Sequence, residues 1–137
     1  MTQVIIHTND NGGVSVTVPT GEISIEAVQA KDTPKGSIIV NQSDLPNQHN
    51  DFFNAWEMDD AGVVTVSLTK AKEITKERLR AERAPLLAAQ DVLYQRAQEA
   101  NADTTAIVAE KNRLRNITLL ADAATTLDAL KAITVEA

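Results

Sequence analysis

Cysteine is absent from all 137 residues, which excludes disulfides and thiolate metal ligands and gives no sign of passage through an oxidising compartment. Aromatic residues make up only 3% of the chain: two Phe, one Tyr and one Trp. The apolar content is therefore mostly Ala, Val, Ile and Leu, and alanine-rich helices bury little area. At roughly 25 cal/mol per Å² of apolar surface, that limits stability as a monomer, and an oligomer or a partner surface can supply the rest. No run approaches the ~18–20 apolar residues of a membrane helix. The opening residues lack the basic start and long apolar stretch of a signal peptide. The expectation is a soluble, cytoplasmic protein with no membrane association.

Positive charge is scarce in the first half. Residues 1–66 hold only Lys31 and Lys35 against Asp10, Glu22, Glu26, Asp32, Asp44, Asp51, Glu57, Asp59 and Asp60. Residues 67–137 are nearly balanced, with eleven basic and ten acidic side chains. An acidic half repels phosphate backbones and argues against nucleic acid as a partner. The asymmetry also predicts two parts with different roles.

The first part reads as strands and turns. Val4-Ile5-Ile6-His7 is β-prone, and Val14, Val16 and Val18 alternate with Ser15 and Thr17 at the period of a half-buried strand. Asn9-Asp10-Asn11-Gly12-Gly13 between them favours a hairpin turn, and Pro19 ends the second strand. A short helix over 24–30, a turn at 32–36 and a third strand at 37–40 follow. Phe52, Phe53 and Trp56, three of the four aromatics, are the natural plug for the sheet's apolar face. Asp59-Asp60-Ala61-Gly62 is a turn, and Val63, Val64 and Val66 form a fourth strand.

From Leu68 the period changes. Residues 69–100 are rich in Ala, Leu, Glu, Lys and Arg, with no glycine and only Pro85. Leu79, Leu86, Leu93 and Ala100 recur every seven residues, with Ile74, Ala89 and Ala97 near the same stripe. Pro85 removes one backbone hydrogen bond, so a kink or break is expected near Arg83-Ala84. Asn101-Ala102-Asp103 is a corner, with Asp103 capping a second amphipathic helix over about 104–120. So short a loop makes the two helices antiparallel. Thr126 caps a last short helix, 127–133. The fold class is α+β: a small N-terminal antiparallel β unit (1–67), then a long helical hairpin and a short terminal helix (68–137).

A search for chemistry finds no catalytic, cofactor-binding or metal-ligating set. The two histidines, His7 and His49, belong to no ligand spacing. Asn9-Asp10-Asn11-Gly12 starts like a calcium loop but lacks the bidentate acid at the twelfth loop position, and Asp59-Asp60 before Ala61-Gly62 is a turn. No GxSxG, thiol or phosphate loop is present. Lys70, Lys72, Lys76, Arg78, Arg80 and Arg83 alternate with Glu73, Glu77 and Glu82 at helical pairing distances such as Glu73–Lys76. That is a salt-laced helix face and not a phosphate track. The reading is a non-enzyme without cofactors.

Two segments resemble a known family. Leu79-Arg80-Ala81-Glu82-Arg83-Ala84-Pro85-Leu86-Leu87-Ala88-Ala89-Gln90-Asp91, then Arg96-Ala97, then Lys111-Asn112-Arg113-Leu114-Arg115-Asn116-Ile117-Thr118, are similar to the helical hairpin of small tailed-bacteriophage proteins called tail assembly chaperones. Residues 25–36, 43–46 and 54–57 resemble the N-terminal module that accompanies it in phage tail and tail-fibre-region proteins. The resemblance implies binding to phage tail or fibre proteins during assembly in the host cytoplasm. A permanent place in the virion as a tail, fibre or head decoration subunit is the first alternative, and a small regulator of a host protein the second. The hairpin from Ile74 to Ile117 is then the contact surface, with possible homo-oligomer contacts along it. Leu79, Leu86, Leu93 and Leu114 are the expected apolar anchors, and Arg80, Arg83, Arg113 and Arg115 are expected to reach partner carboxylates or helix C-termini. The competing expectation is that arginines here pair within the chain, with Glu82, Asp91 and Glu110.

Overall fold

In a computed structural model that describes residues 2–136, the chain divides into two units, Met1–Ala71 and Lys72–Ala137. The division lies inside a helix and not at 67/68, because the first helical turn belongs with the strands. Ser67 N–H donates to Ala55 O at 2.8 Å, Lys70 lies 3.9 Å from Glu57, and Ala71 is fully buried.

In the first unit, β1 (Gln3–Thr8) is the centre of a three-stranded antiparallel sheet, between β2 (Val14–Thr17) and β3 (Ile38–Asn41). The turn between β1 and β2 is made as the asparagine and glycines predict. Asn9 Oδ1 accepts from Asn11 N at 3.1 Å and Gly13 N at 3.0 Å, and Gly12 adopts φ 78°. α1 (Ile25–Asp32) starts on Ser24, whose hydroxyl accepts from Ala27 N at 3.2 Å. It packs on β1 and β3, and Gln29 Nε2 donates to Ser37 O at 2.8 Å.

Strand alternation then assigns the faces. Val4 and Ile6 join Val14, Leu45, Trp56 and Val64 in one buried cluster. Ile5, on the other face, is equally buried. Two strands, β4 (Trp56–Met58) and β5 (Val64–Val66), form a separate antiparallel pair. The aromatic plug is thus partly a strand: Trp56 is buried within β4, Phe52 is buried just before it, and Phe53 stays outside. Phe53 meets Trp56 edge-on at 4.9 Å between ring centroids. The β4–β5 turn needs Gly62, which has φ 86°; a Cβ there would sit 3.0 Å from Ile38 Cγ2.

The second unit holds most of α2 (Leu68–Glu99), followed by α3 (Thr105–Asn116), α4 (Thr118–Ala123) and α5 (Leu127–Ala132). The helix does not break at Pro85; α2 runs through it for 32 residues. A mid-helix proline costs about 3 kcal/mol. Strong helix formers on both sides and tertiary anchors at Arg83 and Asp91 outweigh it, and exposed Ala81 leaves its unpaired carbonyl to water.

α2 ends in a Schellman turn. Ala102 N–H reaches Ala97 O at 2.8 Å, Asn101 N–H reaches Gln98 O at 3.1 Å, and Asn101 takes φ 54°. The N-cap position of the next helix is Thr104 and not Asp103, and no side chain caps it. Asp103 stands one residue earlier and closes an Asx turn, its Oδ1 accepting from Thr105 N at 3.0 Å and Thr105 Oγ1 at 2.6 Å. The expected helix over 104–120 is divided at Ile117, which is buried, into α3 and α4. Thr126 caps α5 through Ala129 N at 3.1 Å. No helix among the described residues is long and apolar enough to cross a membrane.

Candidate interaction surface

α2 and α3 run antiparallel, as two ties show. Arg83 Nη1 donates to Arg115 O at 2.8 Å and Leu114 O at 3.2 Å, and eight residues further along α2, Asp91 pairs with Lys111 at 2.6 Å. The Lys111 ammonium also lies 5.0 Å from the centre of the Tyr94 ring. The half-buried face of α2 is Arg83, Leu87, Gln90, Tyr94 and Ala97; opposite it stand half-buried Thr104, just before α3, then Ile107 and Lys111 on α3, ending at buried Leu114. Spacings of three and four make each of these a single seam.

This seam is not the leucine stripe the heptad predicts. A straight α-helix drifts by ~20° per seven residues against a strict heptad. Leu79 lies in the core, fully buried, but Leu86 and Leu93 have moved to the flank and are 40% and 45% exposed. Val92, 46% exposed, lies beyond them. Of the residues expected to meet a partner, Leu79 and Leu114 are thus inside the chain and Leu86 and Leu93 are on its surface.

The arginines divide in the same way. Arg83 is engaged by the last carbonyls of α3. Arg80 pairs with Glu77 at 2.6 Å, and exposed Arg115 reaches Asn112 Oδ1 at 3.5 Å. Glu82, Asp91 and Glu110 all have partners, namely Arg78, Lys111 and Arg113. The hydrogen bond from Arg113 lowers the pKa of Glu110 from the usual carboxylate value.

Two members of the basic cluster expected to form a salt-laced face, Lys72 and Arg78, reach main-chain oxygens and complete a pattern. Arg78 Nη2 donates to Ile133 O at 2.7 Å, at the end of α5, and Lys72 Nζ donates to Asp122 O at 3.0 Å, at the end of α4. With Arg83 on α3, three basic side chains of one helix each cap the C-terminus of a different short helix. Helix C-termini carry unpaired carbonyls and partial negative charge, so cations are stabilising there. Lys76 bridges Glu73, at 3.2 Å, and Asp122. Those hydrogen bonds, Asp122 first, raise its pKa. The basic cluster is therefore largely engaged in holding the helices together. The signal for this was the run of cations along α2 beside helices too short to stand alone.

Ionisable groups also gather along a cleft of about 390 Å³ lined by His7, Lys35, Asp59 and Asp60 in the first unit. Asp59 Oδ1 is occupied by Ala61 N and Val63 N, each at 2.9 Å, as a turn aspartate. Among the described residues no three His, Cys, Asp or Glu side chains are placed to hold a metal ion. The long flank of α2 is the strongest candidate for a functional surface. No family model, curated protein or solved structure matches the chain.

Proposed function

We propose that this chain is a non-catalytic binding protein of tailed-phage assembly, which engages tail or tail-fibre proteins through the distal flank of the α2–α3 hairpin. The observation that carries the reading is the exposure of Leu86, Val92 and Leu93 beside a seam that is already filled. Contiguous exposed apolar side chains mark contact surfaces. The helix that carries them is tied to α3 at two points, by Arg83 and by Asp91, so the surface is preorganised. The resemblance to tail assembly chaperones supplies the class of partner.

The test is co-purification from phage-producing cells, followed by protein quantification in finished particles. The reading expects the chain bound to a tail or fibre protein in the cell extract. A chain that associates with no virion protein at any stage contradicts it. Depletion from finished particles marks a transient assembly role, and a fixed copy number there marks a permanent subunit.

A further inference from the structure

The flank of α2 carries a charge pattern as well as an apolar one. Glu82, Leu86, Ala89, Leu93, Arg96 and Ala100 follow one another at alternating steps of four and three, the spacing of a helix-pairing seam. Ala89 lies midway between its two charges, with Glu82 seven residues before it and Arg96 seven residues after it. Pro85 and Val92 widen the stripe on one side. Apart from the Glu82 and Arg96 ends the face is apolar, and all of these side chains are exposed. Glu82 reaches only Arg78, 3.3 Å away at the surface, and a carboxylate can accept from a second cation as well. The Arg96 side chain has no ion pair or hydrogen bond among the described residues.

We propose that a second copy of this chain packs antiparallel on this face, with the two-fold axis at Ala89. The charges select both the partner and the direction. A parallel copy sets Glu82 against Glu82 and Arg96 against Arg96. An antiparallel copy centred on Ala89 sets each Glu82 opposite the other chain's Arg96, twice by symmetry. Leu86 then lies opposite Val92 and Leu93 opposite Pro85, so the exposed apolar side chains cover one another. Alanine at the axis permits close approach of the backbones. The contact is isologous and closed, so it ends at a dimer and does not grow into a filament.

The face runs about 27 Å from Glu82 to Ala100 at 1.5 Å per residue. One helix pair of that length lies at the low end of the size range of specific interfaces, roughly 1,200 Å². The dimer is accordingly reversible and concentration-dependent. This inference rests on the reading above that the α2 flank is a contact surface: in the free chain a second copy covers it, and a tail or fibre protein competes with that copy for the same side chains.

The absence of cysteine gives a direct test on the full chain. Ala89→Cys places a thiol on the axis, where its symmetry mate is within bridging distance; Ala88→Cys, about 100° further round the helix, places it too far away. Under mild oxidation the first variant is expected to form a disulfide-linked dimer and the second to remain monomeric. In sedimentation equilibrium, Arg96→Glu is expected to weaken the dimer at least tenfold, and the swap Glu82→Arg/Arg96→Glu to restore it. Circular dichroism checks that each variant is folded. Equal cross-linking of both cysteine variants, an unchanged equilibrium in Arg96→Glu, or a wild-type chain that stays monomeric to near-millimolar concentration overturns the dimer. A monomeric chain that still binds a tail protein through Leu93 removes the dimer and leaves the proposed function standing.

Discussion

Arg83 donates through Nη1 to the main-chain oxygens of Arg115 and Leu114, at 2.8 and 3.2 Å, and so ties the middle of α2 to the end of α3. The residue does two things at once. It satisfies carbonyls that the helix end leaves open, and it sets a positive charge at the negative end of the helix dipole. Arg83→Ala is expected to lower stability by about 1–2 kcal/mol, as hydrogen bonds from a charged donor do. Urea unfolding followed by far-UV circular dichroism measures it. Arg83→Lys should recover part of the loss, because the charge remains and the forked geometry does not.

The leucines of the heptad should separate cleanly in a stability series. Leu79 and Leu114 are buried to 1% exposure or less, and truncation of either to alanine is expected to cost about 2–5 kcal/mol. Leu86→Ala and Leu93→Ala, measured on dilute monomer, should each lie within about 0.5 kcal/mol of wild type. A large loss at Leu93 in dilute solution would mean that it is part of the core.

Asn101 holds the hairpin corner at φ 54°. Asparagine and glycine accept that conformation, but a β-branched residue does not. Asn101→Gly is expected to be nearly neutral, whereas Asn101→Val should cost about 1–2 kcal/mol. Thermal unfolding of the two variants side by side reads the difference.

Acid stability should depend on two carboxylates. Hydrogen bonds from Arg113 lower the pKa of Glu110, and hydrogen bonds from Thr105, side chain first, lower that of Asp103. A folded pKa below the unfolded one gives stability that is complete above the ordinary carboxylate range. That stability is lost as pH falls through the folded value. Glu110→Gln and Asp103→Asn should therefore flatten the acid limb of a plot of urea midpoint against pH. Lys76 behaves in the opposite sense: its raised pKa contributes stability below the ordinary lysine value that is lost at more alkaline pH.

Much of this architecture could be read from local chemistry. The β1–β2 turn follows from Asn9 and Gly12, the corner after α2 from Asn101 and Asp103, and the start of α5 from Thr126, because each position needs a side chain of that kind within a few residues. β4 was not legible, since Trp56-Glu57-Met58 is too short to show an alternating pattern and its pairing with β5 is a tertiary fact. Continuation through Pro85 was not legible either, because the anchors that outweigh the proline lie on α3. The contact surface was half legible. Leu86 and Leu93 could be named from the heptad, but only the packed helices reveal that Leu79 and Leu114 are core and that Arg83 is tied to carbonyls of its own chain.

The central claim is that the flank of α2 bearing Leu86 and Leu93 is where this protein meets its partner. Calorimetric titration of the tail or fibre protein recovered with the chain, into wild type and into a Leu86→Asp/Leu93→Asp variant of equal helicity, tests it most directly. The account predicts saturable binding by wild type and at least a hundredfold loss in the variant. Undiminished binding by the variant would place the contact elsewhere on the molecule and contradict the account.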